Sequence, residues 1–567
     1  MKCTGAQIVI ECLLEKGVDT VFGYPGGTIL NIYDELYKSK DRINHIRTAH
    51  EQGACHAADG YARVSGKVGV VMATSGPGCT NLVTGIATAY MDSVPLVAIT
   101  CNVPTHLIGK DSFQEVDITG ITMSITKHNY IVRDVTKLAD VVREAFDLAQ
   151  CGRPGPVLID IPKDITAAVT EFEPLPPGKA SPSPAVIRCM GKTQAPTREE
   201  LDEVAAIFSA SKRPFFYVGG GVVTSEATAE LTALAEKMNA AVSVSLMGKT
   251  AFPVRHPLCT GMIGMHGTKA SNTAANKCDL LVAIGARFSD RVISDPSKFA
   301  RDSKIVQIDI DPAEINKNIQ TAACLKGDIR AILAELVKKV ASRPRSDWND
   351  SIDKWKSHVP PMYSKKTALH PKFVFEAVHE RVGDDAIITT EVGQHQMWVA
   401  QFYPFAKPRT FLTSGGLGTM GYGTGAAIGA QFAAPDRRVV HIAGDGSFRM
   451  NMNELTTIAI HKLPIIIIIA NNQTLGMVRQ WQTLFYDKRY SATTLDVAAP
   501  DFVKYAEAFG IAGYRVFDEK EFIAAFDEAL ASGKPAVIDS TMDIDEMVLP
   551  MVPAGKPIDE LMLDAQS

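Results

Sequence analysis

Two apolar runs late in the chain, each followed by polar residues at a fixed spacing, constrain the fold most strongly. Residues 438–443 precede Gly444-Asp445-Gly446-Ser447, and residues 465–470 precede Asn471-Asn472. Each run has the length of a buried parallel strand. Because parallel strands end at one sheet edge, we expect Asp445 and Asn472 to lie together, where their oxygens suit Mg²⁺ shared with a phosphate group. A lone Gly-Asp-Gly would indicate only a tight turn.

Short apolar runs alternate with helical patterns along the whole chain. The runs are residues 68–74, 95–100, 157–161, 214–218, 280–284, 305–310 and 385–390, besides the two above. This alternation predicts an α/β fold with three domains, each a mostly parallel sheet flanked by helices. Proline-containing stretches without apolar periodicity, near residues 174–184 and 344–361, are interpreted as linkers. The predicted domains are therefore residues 1–180, 196–345 and 368–567.

Charge and cysteine content limit the classes of function. The net charge is −5 and no basic block occurs, so no nucleic-acid partner is expected. The ten cysteines include no Cys-x-x-Cys pair, which indicates reduced thiols in a cytoplasmic protein. The N-terminus lacks the apolar core of a signal peptide, and no apolar run is long enough to span a bilayer. We therefore expect no membrane partner.

The Gly444–Ser447 motif, the Asn471-Asn472 pair and residues 472–482 (Asn-Gln-Thr-Leu-Gly-Met-Val-Arg-Gln-Trp-Gln) together resemble thiamine diphosphate (ThDP) enzymes. More narrowly, they resemble the catalytic subunit of acetohydroxyacid synthase, also called acetolactate synthase. The resemblance runs along nearly the whole chain. It implies the cofactors ThDP, Mg²⁺ and FAD. The first domain would bind the pyrimidine end of ThDP, the central domain FAD, and the third domain the diphosphate with Mg²⁺.

The resemblance assigns the activating carboxylate to Glu51. In the family this glutamate hydrogen-bonds the aminopyrimidine, whose imino form then removes the thiazolium proton. Without the other motifs, Glu51 would be an ordinary solvated helix residue. Phe113 and Gln114 match the Phe-Gln loop of the family, where a Gln amide can donate to a developing alkoxide. Phe113 is equally compatible with a core aromatic, and Lys163 matches a residue at the substrate entrance.

Three further residues are implied to handle cofactor shape and the second substrate. Met477 matches the apolar residue that props ThDP into its bent form. Trp481 lies one helical turn further on, on the same face, and would shape the pocket of the second 2-keto acid. Packing alone would explain Trp481 equally well. Arg291 would pair with the carboxylate of that substrate.

The remaining cofactor contacts implied by the resemblance form three groups. The pyrimidine group is Tyr24, Pro25, Gly26, Gly27, Glu51, Pro77, Asn81, Gly418 and Met420. The diphosphate group is Val392, Gly393, Gln394, His395, Gly444, Asp445, Gly446, Ser447, Asn472, Thr474, Leu475, Gly476, Met477 and Val478. The metal ligands among them are Asp445, Asn472 and Thr474, the last through its backbone carbonyl.

The third group would contact FAD. It comprises Arg153, Gly219, Gly220, Gly221, Ser245, Leu246, Met247, Gly264, Met265, His266, Gly285, Ala286, Arg287, Val292, Asp309, Ile310, Gly327, Asp328 and Ile329. The glycines at 219–221 are not a full dinucleotide fingerprint, because Thr224 occupies the third glycine position. Ser289 stands where the family commonly has aspartate, which predicts one weaker flavin contact. Thr424-Gly425 replaces the usual Leu-Pro and leaves the start of the next helix open.

The implied reaction begins with decarboxylation of pyruvate on ThDP. The enamine then condenses with a second pyruvate or with 2-ketobutyrate, giving 2-acetolactate or 2-aceto-2-hydroxybutyrate. This is the first common step of branched-chain amino acid biosynthesis, leading to isoleucine and valine, and FAD would be structural. ThDP sites of this superfamily join the first domain of one subunit to the third domain of its partner. A homodimer or dimer of dimers is therefore implied, with a small regulatory subunit.

Three alternatives remain open. A pyruvate oxidase has the same two cofactors and domain order, but Gln114 and the Gln480-Trp481-Gln482 sequence argue against it. The second alternative is an FAD-free catabolic acetolactate synthase. The third is a non-enzymatic binding protein, which the presence of Glu51, Asp445 and Asn472 makes unfavourable. A further hypothesis is that residues 543–567 fold over the site as a lid.

Overall fold

The computed structural model of the chain describes residues 1–176, 182–191, 194–357 and 369–563. Three six-stranded sheets organise these residues, and all strand pairs within them are parallel. Helices cover the sheets, which confirms the predicted three-domain α/β fold. None of the helices in the described ranges is both long and apolar enough to cross a lipid bilayer.

The first domain has a sheet of order β3-β2-β4-β5-β7-β6 and a two-stranded antiparallel sheet of β1 and β8. Its strands are β1 (Lys2–Thr4), β2 (Thr20–Tyr24), β3 (Asn44–Arg47), β4 (Gly69–Ala73), β5 (Leu96–Asn102), β6 (His128–Ile131), β7 (Pro156–Pro162) and β8 (Val169–Glu171). Its helices are α1 (Gly5–Glu15), α2 (Leu30–Lys38), α3 (Glu51–Ser65), α4 (Pro77–Thr80), α5 (Val83–Asp92), α6 (Ile118–Thr122), α7 (Leu138–Gln150) and α8 (Lys163–Ala167). α9 (Pro184–Gly191) begins at the last residue of the proline-rich stretch 174–184.

The central domain has a sheet of order β11-β10-β9-β12-β13-β14. Its strands are β9 (Pro214–Val218), β10 (Ala241–Val244), β11 (Cys259–Met262), β12 (Leu280–Ile284), β13 (Lys304–Asp309) and β14 (Ala323–Lys326). Its helices are α10 (Arg198–Ala210), α11 (Gly220–Thr224), α12 (Thr228–Met238), α13 (Lys269–Lys277), α14 (Asp290–Ile293), α15 (Ile329–Lys339) and α16 (Asp347–Lys356). Strand order reverses between β9 and β12, which is where open α/β sheets bind dinucleotides.

The third domain has a sheet of order β16-β15-β17-β18-β20-β19. Its strands are β15 (Ile387–Thr390), β16 (Phe411–Leu412), β17 (Val439–Gly444), β18 (Ile466–Asn471), β19 (Ala512–Val516) and β20 (Ala536–Thr541). Its helices are α17 (Pro371–Val382), α18 (Gln394–Phe402), α19 (Tyr422–Ala433), α20 (Asp445–Asn451), α21 (Leu455–His461), α22 (Gly476–Phe485), α23 (Phe502–Glu507) and α24 (Glu519–Ser532).

The first and third sheets have the same strand order, and the equivalent helices α3 and α19 pack against each other. Small residues allow the two backbones to meet. A Cβ atom on Gly60 would lie 2.3 Å from Ala426 O, and one on Gly429 would lie 1.8 Å from Ala57 O. A Cβ on Gly425 would lie 2.7 Å from Gly53 O. Gly425, which with Thr424 replaces the usual Leu-Pro of the family, therefore permits this close helix contact. One apolar core therefore spans the two domains.

Each of the two regions between the predicted domains contains a helix that sequence patterning missed. α9 lies in the first, and α16 lies in the second, where the Trp348 indole N–H donates to Pro214 O over 3.1 Å. α16 thereby packs on the central domain. The linker prolines Pro177, Pro360 and Pro361 lie outside the described residues.

The tail crosses from the third domain to the central domain. Val548 belongs to the core of the third domain, and Ile558 is buried in that of the central domain. The Asn272 amide donates to Ile558 O over 2.7 Å, and the Gln480 amide donates to Val548 O over 3.0 Å. The tail is thus tied to helix α22 and to the central domain.

Candidate active site

Three helices begin side by side at the carboxyl edge of the third sheet. α18, α20 and α22 start at Gln394, Asp445 and Gly476, just after the adjacent strands β15, β17 and β18. Helix N-termini present unpaired N–H groups and a partial positive charge. Three of them around one edge form a site suited to a diphosphate. The predicted residues 392–395, 444–447 and 474–478 all lie in these turns.

Asp445 is the buried carboxylate of this edge. It is 1 % exposed, and its Oδ2 has no hydrogen-bond partner among the described residues. The nearest cation is the Arg449 guanidinium, whose Nη2 lies 4.0 Å from Oδ2. Burial raises the pKa of Asp445 to about 7. An unpartnered buried carboxyl oxygen is unfavourable in isolation, and a bound cation would satisfy it.

Asn472 and Thr474 follow β18, which is adjacent to the strand that ends just before Asp445. The Asn472 amide donates to Gln394 Oε1 over 3.0 Å, which leaves its carbonyl oxygen as an acceptor. The Thr474 hydroxyl donates to Thr493 O over 2.8 Å, so its side chain is already committed. A Cβ on Gly476 would lie 1.9 Å from Gln394 Oε1 and 2.8 Å from Asn472 Nδ2, so a larger residue there would displace these two amides. Within the described ranges no three His, Cys, Asp or Glu side chains form a metal cluster, so a cation here needs amide, carbonyl or ligand oxygens.

Glu51 lies at the carboxyl edge of the first sheet. It is the first residue of α3 and is 9 % exposed. The Asn81 amide donates to Glu51 Oε2 over 2.9 Å. Close packing brings the predicted glycine turn against the same edge, since a Cβ on Gly26 would lie 2.4 Å from Thr74 Cγ2. The structure therefore brings together Glu51, Asn81, Pro77 and the turn after β2.

A third-domain carboxylate holds the N-terminus of the Glu51 helix. Glu454, in a short 3-10 turn after α20, accepts hydrogen bonds from Ala49 N (3.1 Å) and His50 N (3.0 Å). Burial raises the pKa of Glu454. No hydrogen bond or ion pair of the described residues joins Glu51 to Asp445. Glu51 follows β3 of the first sheet and Asp445 follows β17 of the third, so within one chain these two groups lie on the edges of different sheets.

The loop of residues 415–421 carries the predicted pyrimidine contacts Gly418 and Met420. Its far end is held by Glu391, which accepts hydrogen bonds from Gly421 N (2.5 Å) and Thr424 N (3.3 Å). Gly421 has φ +87°, which favours glycine. These hydrogen bonds fix the N-terminus of α19, which begins at Tyr422. The helix start is therefore well defined although Thr424-Gly425 replaces the usual Leu-Pro of the family.

The Phe-Gln loop is ordered by its own glutamate. Glu115 accepts hydrogen bonds from Ser112 N (3.0 Å), Lys110 N (3.3 Å) and Gly109 N. Phe113 is 88 % exposed, which excludes a core role within the single chain. Gln114 has φ +61° and packs on Gly76. Lys163 begins α8 at the end of β7.

Met477, Val478 and Trp481 lie on one side of α22 and line a cleft of about 670 Å³. Trp481 is half-buried, and its ring centroid lies 5.1 Å from that of Phe485. Residues 482–491 close the cleft, where Arg479 stacks on the Tyr490 ring. The cleft thus offers an apolar wall beside the diphosphate edge.

The central sheet places most of the predicted FAD residues at one edge, because they follow its six parallel strands. Arg153 belongs instead to the first domain, and Val292 lies in α14. At the β9–β12 switch point the backbones approach closely, and a Cβ on Gly219 would lie 2.0 Å from Gly285 O. Asp309 ends β13; it is buried, and burial raises its pKa to about 6. The edge therefore forms a crevice of the kind that holds a dinucleotide.

Arg153, Arg291 and Ser289 are the remaining predicted residues of this region. Arg153 pairs with Glu314 (2.8 Å) and Asp311 (3.4 Å), so it joins the first and central domains. Arg291 has a side chain that is 67 % exposed, with Nη1 3.7 Å from Met265 Sδ. The Ser289 hydroxyl accepts a hydrogen bond from Arg291 N and caps α14. Ser289 therefore has a structural role at the position where the family commonly has aspartate.

Sequence reasoning missed Glu391, Glu454 and Gln480. Each side chain accepts a hydrogen bond from a backbone N–H group that is remote in sequence. Glu391 binds Gly421 N, Glu454 binds Ala49 N and His50 N, and Gln480 binds Val548 N. No local motif identifies such contacts.

Comparison with known proteins places the whole chain in one family. Residues 3–121, 201–336 and 391–540 match the N-terminal, central and C-terminal domains of thiamine pyrophosphate enzymes, the terminal two being described as TPP binding domains. The acetolactate synthase large subunit of Corynebacterium glutamicum is 47 % identical over 98 % of this chain and 89 % of its own length. The acetolactate synthase of Mycobacterium leprae is 46 % identical over 98 % of this chain and 90 % of its own length. A probable acetolactate synthase large subunit of Methanocaldococcus jannaschii is 46 % identical over 97 % and 94 %. This chain therefore belongs to the family of ThDP-dependent acetolactate synthase large subunits.

Proposed function

We propose that this protein is an acetolactate synthase. It decarboxylates pyruvate and joins the remaining two-carbon unit to a second pyruvate or to 2-ketobutyrate, giving 2-acetolactate or 2-aceto-2-hydroxybutyrate with loss of CO₂. The observation that carries this proposal is the buried Asp445 Oδ2 among three helix N-termini, which has no hydrogen-bond partner in the part of the chain that the structure describes. It fits a cation that binds a diphosphate, in a chain with 47 % identity to an acetolactate synthase large subunit.

The residues present fit ThDP and Mg²⁺. Asp445, Asn472 and the Thr474 carbonyl would hold the metal, and the turns at Gln394, Asp445 and Gly476 would hold the diphosphate. When bound, ThDP supplies a carbon nucleophile that stabilises negative charge after CO₂ is lost. Asp445 must be deprotonated to bind the metal. Its pKa is raised in the metal-free protein, so metal and proton compete for it.

Glu51 moves the activating proton at a ring nitrogen of the aminopyrimidine. Asn81 fixes one carboxylate oxygen and leaves Oε1 as the other acceptor. Burial of Glu51 keeps water from competing for this contact. Gln114 and Lys163 would contact the substrate through polar groups, and Phe113 would cover it.

The second 2-keto acid is selected by Trp481 and anchored by Arg291. The Trp481 ring offers apolar surface to the methyl or ethyl group of the acceptor. The Arg291 guanidinium is largely exposed and would pair with the acceptor carboxylate. Arg291 lies in the central domain, so the acceptor site lies between domains.

FAD is proposed for the crevice of the central sheet. The strand order and the glycines at Gly219 and Gly285 support a dinucleotide there. The reaction involves no net oxidation, so the flavin would have a structural role. The Arg287 side chain, just after β12, would face it.

The assembly is proposed to be a homodimer or dimer of dimers with shared active sites and a small regulatory subunit. Two features of the single chain support active sites that are shared between subunits. Glu51 and Asp445 lie on the edges of different sheets, and Phe113 is 88 % exposed. A cytoplasmic location is supported by the ten cysteines, which are all free thiols.

Product analysis tests the proposal. The purified protein, supplied with ThDP and Mg²⁺, should convert pyruvate to 2-acetolactate and should form 2-aceto-2-hydroxybutyrate when 2-ketobutyrate is added. Consumption of an electron acceptor with release of acetate would instead establish a pyruvate oxidase. A visible spectrum without flavin bands would indicate the FAD-free catabolic type.

A further inference from the structure

The loop of residues 415–421 is anchored at both ends by buried carboxylates. Glu391 holds its far end at Gly421, as described above. Its near end is held by Asp92, the last residue of α5, which accepts hydrogen bonds from Gly416 N (2.7 Å) and Gly415 N (3.2 Å). Asp92 belongs to the first domain, whereas the loop belongs to the third. The anchor therefore crosses the domain boundary.

Asp92 is part of a buried charge cluster. Its side chain is fully buried and pairs with the Arg63 guanidinium at 3.0 Å. Arg63 also pairs with Asp59 at 2.6 Å and donates to Thr413 O over 3.0 Å, just before the loop. Each carboxylate oxygen of Asp92 therefore has a partner. Hydrogen bonds to ionised groups of this kind are about twice as strong as neutral ones.

A second contact from α5 reaches the same loop. The Thr88 and Thr419 hydroxyls lie 2.7 Å apart, and Thr88 precedes Asp92 by one helical turn. A Cβ on Gly416 would lie 2.8 Å from Asp92 Oδ1, so the loop approaches α5 as closely as glycine permits. One face of α5 thus fixes the loop at Gly415, Gly416 and Thr419, on either side of Gly418.

We infer that Asp92 is a positioning residue for the aminopyrimidine of ThDP, acting through the loop that carries Gly418 and Met420. The inference rests on the proposed function, in which this loop contacts the pyrimidine. The diphosphate is held separately, by the N-termini of α18, α20 and α22. Loss of the Asp92 carboxylate should therefore weaken recognition of the pyrimidine half and spare the diphosphate half.

Two ligands distinguish recognition of the pyrimidine half of ThDP from recognition of its diphosphate half. Calorimetric titration in the presence of Mg²⁺ compares ThDP with inorganic diphosphate, which lacks the pyrimidine. Asp92→Asn should weaken ThDP binding roughly tenfold or more, because the amide nitrogen cannot accept the hydrogen bond from Gly415 N and the bond from Gly416 N loses its charge, and should leave diphosphate binding as in wild type. Arg63 retains Asp59 as its partner, so the variant keeps a neutralised guanidinium and is expected to fold.

Asp160→Asn is the matched control. Asp160 is a buried carboxylate of the same domain, bonded to Thr100 and Asn102 on the sheet and not to the loop. It should bind both ligands as wild type does. Thr88→Val removes the second α5 contact by a nearly isosteric change. Thr88→Val should also lose ThDP affinity selectively, by a smaller factor. It replaces Asp92→Asn as the test variant if Asp92→Asn does not fold.

Four results would count against these claims. Wild-type ThDP affinity in Asp92→Asn overturns the inference, as does equal loss of both ligands, which would indicate a merely structural role. If Asp92→Asn does not fold, unchanged ThDP affinity in Thr88→Val overturns it. If the wild-type protein binds neither ligand, the proposed function itself fails, and this outcome is distinguishable from the others.

Discussion

The amide of Asn81 donates a hydrogen bond of 2.9 Å to Glu51 Oε2, across the gap between α4 and the first turn of α3. This single bond fixes the orientation of the carboxylate before any cofactor is present. Preorganised polar groups of this kind contribute to catalysis because they need not reorganise during the reaction. The Asn81–Glu51 pair is therefore the natural place to test cofactor activation.

Glu51→Gln should retain ThDP binding and slow exchange of the cofactor C2 proton by orders of magnitude, because an amide cannot exchange a proton with the ring nitrogen of the aminopyrimidine. Nuclear magnetic resonance of bound ThDP in deuterated buffer measures this exchange. Asn81→Ala keeps the carboxylate but removes its orientation, so it should give an intermediate rate. An exchange rate equal to wild type in Glu51→Gln would remove Glu51 from the activation step.

Asp445→Ala should lose Mg²⁺ and ThDP together, because the metal links the protein to the diphosphate. We expect ThDP affinity to fall by roughly tenfold to a hundredfold, as lost contacts to charged groups cost about 1.5–3 kcal/mol. Calorimetry with each ligand measures both affinities. Thr474→Val keeps the backbone carbonyl and should matter less. Full activity of Asp445→Ala at limiting ThDP would contradict the metal assignment.

Trp481→Leu should leave acetolactate formation from pyruvate largely intact and reduce the preference for 2-ketobutyrate. The competing acceptors differ by one methylene, whose apolar contact is worth about 1–3 kcal/mol, or roughly tenfold to two-hundredfold in the product ratio. A competition assay with both keto acids measures that ratio. Arg291→Gln should impair both products alike, since both acceptors carry the carboxylate. A wild-type product ratio in Trp481→Leu would assign the residue to packing alone.

Gly429→Ala should destabilise the contact between α3 and α19. The new Cβ would lie 1.8 Å from Ala57 O, so the helices must separate, and overpacking of this kind costs about 1–3 kcal/mol. The temperature of thermal inactivation should fall. Gly191→Ala is the control, because none of the residues that the structure describes has an atom within 4 Å of the added methyl group. Equal inactivation temperatures for the two variants would show that the helix contact is not tight.

Ionisation of Glu546 should weaken the attachment of the tail, residues 543–563, to the rest of the protein as pH rises. Burial, with Asp543 nearby, raises the pKa of Glu546 from 4.5 to about 7, and His370 Nε2 lies 3.7 Å away. A folded-state pKa above the unfolded value gives stability that is fully present below about pH 4.5 and is lost through about pH 7. Hydrogen exchange of residues 543–563, corrected for intrinsic rates, should show less protection at high pH. Glu546→Gln should remove this pH dependence, and its persistence would locate the effect elsewhere.

Much of the fold could be predicted because the signals are local. The isoleucines of β18 and the Gly444–Ser447 turn determine a buried strand and the start of α20 from adjacent residues. Three such strands ending at one edge suffice to bring Asp445 near Asn472. The two linker helices were missed because the surrounding prolines and charged residues hide short apolar faces, such as that of Trp348 in α16.

The supporting contacts of the site could not be predicted, for a physical reason. Glu454 binds Ala49 N and His50 N, and Asp92 binds Gly415 N and Gly416 N, across more than three hundred positions of sequence. Backbone N–H groups carry no side-chain identity, so neither partner leaves a pattern in the sequence. Such contacts become visible only when the domains are packed together.

The close packing of α3 on α19 has a consequence for synthesis of the chain. α3 is complete at Ser65, but its partner helix begins only at Tyr422. At translation rates of about 5–20 residues per second, the glycine-rich face of α3 waits on the order of twenty seconds to a minute for its partner. During that interval the first domain can be folded on the ribosome while one apolar face remains open to solvent. The nascent chain is then most vulnerable to aggregation and most accessible to chaperones, and the completed third domain ends that period by covering the face.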